Sequence, residues 1–271
     1  MLRPVVIKVG TSVLELNGGL NVEALRRIAR EISESMLGQG IRTVLVTSGA
    51  ILTGLDALGI RKKPSELTLR EKQMTAAVGQ PLLMKEYIEA FGKHGIKVAQ
   101  ILVTEEDFTI RTSFMNFIRT TKALLSQGIL PIINENDAVS VRELVNVFNV
   151  SSMVRFGDND RLSAIISSSI RASRLIILTD VDGILDAENR LIKETDCVTL
   201  EKLTKRLSGR SAYGRGGIKS KIEAACFAAS RGIPVNIING KVEGNLRAAL
   251  RGENAGTLIR PMKAALTTKT F

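Results

Sequence analysis

Short apolar, β-branched runs alternate with longer amphipathic stretches along the whole chain. Runs rich in Val, Ile and Leu, which are typical of buried parallel strands, occupy residues 5–9, 43–47, 98–103, 129–133, 175–179 and 234–238. Between them, apolar residues recur at helical spacing over residues 22–36, 70–91, 114–126, 161–172 and 218–230. This alternation predicts a doubly wound sheet with helices on both faces.

The chain has 271 residues, of which 44% are hydrophobic, so it is long enough to bury one large core. We find no internal repeat, low-complexity tract or Pro/Ser-rich linker, and we therefore expect a single α/β domain over residues 1–271. In such folds ligands bind beyond the carboxyl ends of the strands. The residues that directly follow each apolar run are therefore the candidates for chemistry.

The formal charge of +11 and the pI near 9.9 are compatible with nucleic acid, an anionic membrane or small polyanions such as nucleotides. Because the basic residues are spread along the chain, we expect a solvated basic surface, with neither nucleic acid nor membrane as a partner. No stretch approaches the roughly 20 apolar residues that span a bilayer, and the start lacks the apolar core of a signal peptide. Cys197 and Cys226 lack the spacing of a disulfide framework or metal site. We therefore expect a cytoplasmic protein.

Histidine is nearly absent. The single one, His94, lies in a polar stretch where a surface position is expected. This composition argues against histidine-based triads and histidine-rich metal sites. Neither a Walker-type sequence nor Gly-x-Gly-x-x-Gly after a strand occurs, so a nucleotide would need another kind of cradle.

Two of the strand ends combine hydroxyl groups with glycine. In the first run Lys8 interrupts a buried-type strand, and Gly10 follows; such a lysine needs a partner, for example a phosphate. The alternative is an edge strand with Lys8 in solvent. After the second run, Ser48 and Gly49 form a turn whose backbone N–H groups favour anions, although Ser48 could equally be an ordinary N-cap.

Two further clusters carry carboxylates and amides. Residues 134–137 read Asn-Glu-Asn-Asp and residues 157–160 read Gly-Asp-Asn-Asp. An amino-acid ligand needs acceptors for its ammonium and donors for its carboxylate, which Asn134, Asp137 and Asn159 could supply. Ordinary turn chemistry is the alternative.

The last two segments are Thr-Asp-Val-Asp-Gly at 179–183 and the glycine-rich residues 213–221, which open a helix. Lys219 and Lys221 fall in its first turn, where the helix dipole disfavours cations and a bound anion would compensate. A flexible loop with solvated lysines is the alternative.

Taken in order, residues 6–14, 46–50, 133–139, 157–160 and 179–183 resemble the glutamate 5-kinases of the amino-acid kinase family. The segments at 133–139 and 157–160 are the more specific, whereas Thr-Asp-x-Asp-Gly is shared widely in that family. The resemblance implies a three-layer α/β/α sandwich with a mainly parallel central sheet. It also implies ATP-dependent phosphorylation of the side-chain carboxylate of L-glutamate, the first step of proline biosynthesis.

The resemblance also implies roles by position. Lys8 and Lys221 would contact the transferring phosphates, with Asp160 holding both lysines. The implied substrate-binding residues are Ser48, Gly49, Asn134, Asp137, Asp158 and Asn159. The implied ATP-binding residues are Lys8, Gly10, Thr179, Asp180, Arg215, Gly216, Gly217, Ile218, Lys219, Ser220 and Lys221. Mg²⁺ is inferred from phosphoryl-transfer chemistry, with its protein ligands unknown.

Three features depart from the family pattern. Arg215 stands where threonine is usual, residues 138–157 form a longer segment than expected, and we expect no C-terminal domain of the kind found in RNA-modifying enzymes. The resemblance further implies proline as a feedback inhibitor, a downstream glutamyl-phosphate reductase and a homo-oligomer. The alternatives are a related kinase acting on acetylglutamate, aspartate, carbamate or uridylate, and a non-catalytic module that binds amino acid or RNA.

Overall fold

The computed structural model describes residues 3–140, 159–207, 217–253 and 255–262. The strands in these ranges are β1 (Val5–Val9), β2 (Glu15–Leu16), β3 (Gly19–Leu20), β4 (Thr43–Val46), β5 (Val98–Val103), β6 (Leu130–Glu135), β7 (Arg174–Thr179), β8 (Glu194–Thr195), β9 (Val235–Asn239) and β10 (Thr257–Ile259). Eight of them form one sheet in the order β5-β6-β4-β1-β7-β9-β10-β8, while β2 and β3 form a separate hairpin. Every neighbouring pair in the large sheet is parallel except β9 and β10.

The helices of the same ranges are α1 (Thr11–Leu14), α2 (Val22–Gln39), α3 (Ala50–Ala57), α4 (Leu69–Gly92), α5 (Glu106–Thr109), α6 (Arg111–Ser126), α7 (Asn159–Ser169), α8 (Cys197–Leu207), α9 (Gly217–Ala229) and α10 (Asn245–Leu250). All six predicted strands and all five predicted helices are present, with ends that differ by a few residues. The sequence pattern did not predict the β2-β3 hairpin, the helices α1, α5, α8 and α10, or the strands β8 and β10. All of these except α8 have at most six residues, whereas α8 has 11 residues and an amphipathic pattern. None of the helices in the described ranges is long and apolar enough to cross a bilayer.

The central strands of the sheet are buried on both faces, which explains why they are almost continuously apolar. One core contains Val6 and Val46 together with residues of α6, α7 and α9, and the other contains Ile7 and Leu45 with residues of α2, α4 and α10. The three-layer α/β/α sandwich with a mainly parallel sheet is therefore confirmed.

The place of β1 in the sheet decides where Lys8 points. β1 lies between β4 and β7, so the alternative of an edge strand is wrong. Because side chains alternate along a strand, Lys8 shares the face of Val6, the face covered by α7 and α9. The carboxyl ends of β1, β4, β6 and β7 meet along one edge of the sheet.

A close helix contact fixes the turn after β4. Gly79 of α4 faces the first residue of α3, and a Cβ at Gly79 would lie 1.9 Å from the carbonyl oxygen of Ala50. The two helices can approach this closely only because Gly79 has no side chain. Their packing therefore holds the start of α3, and with it the Ser48–Gly49 turn, in place.

Candidate active site

A buried ion cluster lies at the carboxyl end of β1. The Nζ of Lys8 is 2.8 Å from Oδ1 of Asp160, and the Nζ of Lys221 is 3.0 Å from Oδ2 of the same carboxylate. Lys8 comes from the sheet, Asp160 from the first turn of α7 and Lys221 from the first turn of α9. The structure thus brings together the three residues that the sequence proposed as catalytic, and the cluster carries a net charge of +1.

Asp160 is ionised within this cluster. Burial opposes the charged carboxylate, but the charges of Lys8 and Lys221 and the hydrogen bonds they donate outweigh burial and hold the pKa of Asp160 below its ordinary value. Its place in the first turn of α7 also suits a negative charge. One carboxylate therefore holds two cations side by side, although like charges repel.

An amide cluster lies next to the ion cluster, because Asn159 directly precedes Asp160. The Nδ2 of Asn159 donates to the carbonyl oxygen of Thr47 and to Oγ of Ser48, both at 2.8 Å, and to Oδ1 of Asn134 at 3.0 Å. Asn134 in turn donates from Nδ2 to Oε1 of Gln80 at 2.8 Å. Side chains that follow β4 and β6 are thereby tied to the start of α7.

The turn between β4 and α3 is shaped by Gly49. Gly49 has φ of 107° and ψ of 0°, a left-handed conformation that residues with a Cβ rarely adopt. It is the N-cap residue of α3, and no side chain of the described residues caps this end of the helix. The turn therefore presents the Ser48 hydroxyl and the first N–H groups of α3 toward the same edge of the sheet, as an anion requires.

Asp137 lies in a cavity of about 280 Å³ beside these clusters. The cavity is enclosed by α4, β5 and the residues that follow β6, and it is lined by Gln80 and Leu102 as well as Asp137. Burial raises the pKa of Asp137 to about 6, and no cation among the described residues lowers it. An ammonium group entering the cavity would supply that missing cation.

Gln80 is the residue of this site that the sequence did not single out. It is a polar residue on a helix whose buried residues, such as Leu83 and Phe91, are mostly apolar, and it is 9% exposed. The signal in the sequence was a polar side chain at a core position of the helical pattern, but that pattern alone did not reveal its contact with Asn134.

Thr179 ends β7, and Asp180 follows it, at the same edge of the sheet as the ion cluster. Oδ1 of Asp180 accepts hydrogen bonds from Ser12 at 3.1 Å and from Thr179 at 3.2 Å. Partial burial opposes the charge of Asp180, but hydrogen bonds from its own backbone and these two hydroxyls hold its pKa below the ordinary value. Gly10, between β1 and α1, lies at the same edge of the sheet.

Only some side chains at the start of α9 face the ion cluster. Lys221 reaches Asp160, whereas Lys219 is exposed and lies 4.0 Å from Glu223 on its own helix. Ile218 packs against the core, and Ser220 is half-buried. Gly217 is the first residue of α9. The candidate residues Asp158, Arg215 and Gly216, and positions 141–157 of the long segment, lie outside the described residues.

Two other features of the molecule lie outside the candidate site or bear on its metal content. A larger groove of about 520 Å³, lined in part by Arg26, Lys93 and the half-exposed His94, contains none of the candidate residues. Within the described ranges, no three His, Cys, Asp or Glu side chains are grouped so that they could hold a metal ion.

The family model for the amino acid kinase family matches residues 3–239. Among curated relatives, a glutamate 5-kinase of Trichlorobacter lovleyi is 41% identical over 275 residues, covering 99% of this chain and 70% of its own length. A glutamate 5-kinase of Thermoanaerobacter sp. strain X514 is 39% identical over 272 residues, covering 98% of this chain and 70% of its own length.

A likeness among solved structures supports the fold. An N-acetylglutamate synthase from Neisseria gonorrhoeae, complexed with coenzyme A and N-acetyl-glutamate, superposes with a TM-score of 0.67 at 18% identity, covering 96% of this chain. This chain spans 60% of that structure's chain, and at this identity the likeness shows the fold alone. The family match over most of the chain and the identity to the curated relatives together show that this chain belongs to the amino acid kinase family.

Proposed function

We propose that this protein is a glutamate 5-kinase, which transfers the γ-phosphoryl group of ATP to the side-chain carboxylate of L-glutamate. The observation that carries this proposal is the buried Lys8–Asp160–Lys221 cluster, which places two cations at the carboxyl end of the central strand. The relatives named glutamate 5-kinase support the choice of acceptor. The product, L-glutamyl 5-phosphate, enters proline biosynthesis.

The chemistry explains why no histidine is needed. The side-chain carboxylate of glutamate has an ordinary pKa of about 4.3, so at neutral pH it is already a nucleophile without a general base. One of its oxygens forms a bond to the γ-phosphorus, while the bond from that phosphorus to the β–γ bridging oxygen breaks and ADP leaves. The obstacle is that one anion must approach another, so catalysis consists of alignment and charge neutralisation.

Lys8 and Lys221 supply the neutralisation. Each lysine has a compact ammonium group with three N–H donors. Each ammonium contacts one oxygen of Asp160, and its remaining N–H groups can donate to phosphate oxygens. Asp160 keeps both ammonium groups in place before the nucleotide arrives. Thr179, Asp180 and the residues that begin α9 are proposed to contact the nucleotide.

We expect Mg²⁺ to enter with the nucleotide, because its phosphates and water supply most of the ligands that Mg²⁺ prefers. When bound, the ion neutralises charge on the β- and γ-phosphates. The positive charge of the ion cluster suits a nucleotide that carries its own metal ion.

Glutamate recognition is assigned to the amide cluster and the cavity. Asp137, whose carboxylate has no cation beside it in the described ranges, would accept the substrate's ammonium group. Ser48 and Asn159 are joined by a hydrogen bond of 2.8 Å. Asn159 adjoins Asp160 of the ion cluster and is linked through Asn134 to Gln80, which lines the cavity. The side-chain carboxylate of glutamate would thus be held beside the lysines.

The KM for glutamate is expected to rise as the pH falls below about 6, by about tenfold for each unit. The reason is that burial raises the pKa of Asp137 to about 6, and the protonated acid no longer attracts an ammonium group. Steady-state KM for glutamate between pH 5 and 8, at saturating ATP, measures this effect. In Asp137→Asn the KM should be high throughout and lose this dependence; an unchanged KM in that variant would remove Asp137 from the ammonium site.

The direct test of the function is Mg²⁺-dependent release of ADP from ATP with L-glutamate, N-acetylglutamate, aspartate and UMP in parallel. Hydroxylamine is added to trap any acyl phosphate as a hydroxamate. Glutamate-dependent ADP release with a matching amount of hydroxamate is the expected result. Turnover with another acceptor alone would leave the phosphate site but refute the glutamate site, and no turnover with any acceptor would favour a non-catalytic module.

Several parts of the proposal rest on the family resemblance. We propose that residues 1–271 act as one amino-acid kinase domain in the cytoplasm. A reductase that consumes the reactive acyl phosphate, feedback inhibition by proline and assembly into a homo-oligomer complete the proposal.

A further inference from the structure

Gln80 carries a hydrogen-bonding group that the fold leaves unused. It lies on α4 and lines the same cavity as Asp137, with only 9% of its surface exposed. Its Oε1 accepts a hydrogen bond from Asn134, but its Nε2 is buried and has no hydrogen-bond partner among the described residues. Buried polar groups in proteins are nearly always paired, so this donor calls for an acceptor.

A backbone group fixes which end of the Gln80 amide is unused. The N–H of Glu135 can only donate, and it donates to Oδ1 of Asn134 at 2.9 Å. Asn134 must therefore turn its Nδ2 donor toward Gln80, and the Oε1 of Gln80 must accept that hydrogen bond. The group of Gln80 that remains is an N–H₂ donor, whose natural ligand is an anion or a carbonyl oxygen.

The cavity therefore contains two complementary unpaired groups. Within the part of the chain that the structure describes, Asp137 is an acceptor without a cation, and Gln80 is a donor without an acceptor. An α-amino acid presents an ammonium and a carboxylate on the same carbon atom, which matches this pair of groups.

We propose that Gln80 is a specificity-determining residue, whose Nε2 donates to the α-carboxylate of the amino-acid substrate. This inference rests on the proposed function, since it assigns one end of the same substrate. Asp137 then holds the ammonium, Gln80 the α-carboxylate, and the side-chain carboxylate extends toward Lys8. An acceptor that lacks the α-carboxylate leaves Nε2 unpaired and is rejected.

Two variants separate the two ends of the Gln80 amide. Gln80→Glu keeps an oxygen for Asn134 but replaces the donor with a second oxygen, whereas Gln80→Met keeps the volume and removes both groups. We expect both to raise the KM for L-glutamate by about 10- to 100-fold, the effect of losing a hydrogen bond to a charged group, with the KM for ATP unchanged. An unchanged KM for glutamate in both variants overturns the inference.

A substrate analogue shows whether the effect depends on the α-carboxylate. 4-Aminobutyrate is glutamate without that carboxylate, and its inhibition constant against glutamate is measured for each enzyme. The Gln80 variants should weaken the binding of 4-aminobutyrate far less than that of glutamate. The reason is that 4-aminobutyrate cannot make the contact with Gln80 in the wild-type enzyme either, so the substitution removes nothing from its complex. Equal weakening of the two ligands would show that Gln80 only supports the fold of the site, and would overturn the inference.

Gln100→Glu is the matched control, because Gln100 lines the same cavity from the exposed edge strand β5. It adds the same charge and leaves the hydrogen bond between Asn134 and Gln80 intact. A loss equal to that of Gln80→Glu would assign the effect to charge alone and overturn the inference. If a Gln80 variant does not fold, the affinities of the wild-type enzyme for glutamate and 4-aminobutyrate still test the inference. Equal affinities would exclude recognition of the α-carboxylate and overturn it. Absence of wild-type turnover with glutamate would instead refute the proposed function.

Discussion

Lys8→Ala is expected to lower kcat by about 10²- to 10³-fold, with a much smaller change in the KM for glutamate. The physical reason is that Lys8 lies at the carboxyl end of the central strand, 2.8 Å from Asp160. We propose that its charge there meets the transferring phosphoryl group rather than the amino acid. Lys221→Ala is expected to have an effect of the same order, because its Nζ lies 3.0 Å from the same carboxylate. Single-turnover phosphorylation of glutamate at saturating ATP measures the chemical step.

Lys219→Ala is the matched comparison for Lys221→Ala. Lys219 occupies the same turn of α9, but it is exposed and lies 4.0 Å from Glu223 instead of facing Asp160. We expect Lys219→Ala to lower kcat far less than Lys221→Ala does. Lys85→Ala, on the exposed face of α4, should leave kcat unchanged. Near-normal kcat in both Lys8→Ala and Lys221→Ala would refute the assignment of the cluster to phosphoryl transfer.

Asp160→Asn is expected to lower the free energy of unfolding by about 3–5 kcal/mol at neutral pH, because it leaves two neighbouring ammonium groups without their shared anion. Asp160 is 1% exposed, so water cannot take over its role. We expect kcat to fall as well, since the lysines lose the group that holds them. Denaturant unfolding at pH 7, with and without ATP, measures the first effect, and the hydroxamate assay measures the second.

The pH dependence gives a second test of Asp160. Because the folded pKa lies below the ordinary value of 3.8, the carboxylate stabilises the fold fully above that value. Its contribution is lost as the pH falls toward the folded pKa, so the difference between wild type and Asp160→Asn should shrink in acid. Glu89→Gln, which removes one partner of the exposed Lys85–Glu89 pair at 3.8 Å, should change stability little at any pH. A stable Asp160→Asn enzyme at pH 7 would contradict the structural role of the carboxylate.

Much of the candidate site could be predicted from local sequence alone. Lys8 interrupts an apolar strand, and a lysine in such a strand needs a partner wherever the strand lies. Asp137 and Asn159 belong to polar clusters that follow or adjoin strands, and in parallel sheets such positions meet at one edge. The order of the motifs along the chain then indicated the family, which the comparisons confirmed.

Gln80 and Lys219 show where local sequence was not enough. Gln80 stands within an ordinary helical pattern, and only its contact with Asn134 and the adjoining cavity reveal a buried donor that has no partner among the described residues. Lys219 and Lys221 look alike in a glycine-rich segment. They differ because positions i and i+2 of a helix are related by a rotation of about 200° and so lie on nearly opposite sides. One lysine therefore reaches Asp160, and the other faces solvent.

The sequence by itself determined the alternation of strands and helices, the sheet buried on both faces and the residue types gathered at the strand ends. Periodicity encodes these features because each segment must bury its own apolar face. The tertiary structure alone decided that β1 lies at the centre, that Asp160 joins Lys8 to Lys221, and that Gln80 and Asp137 share a cavity. These contacts join residues far apart in the chain, and they depend on strand order and helix packing, which no local pattern specifies.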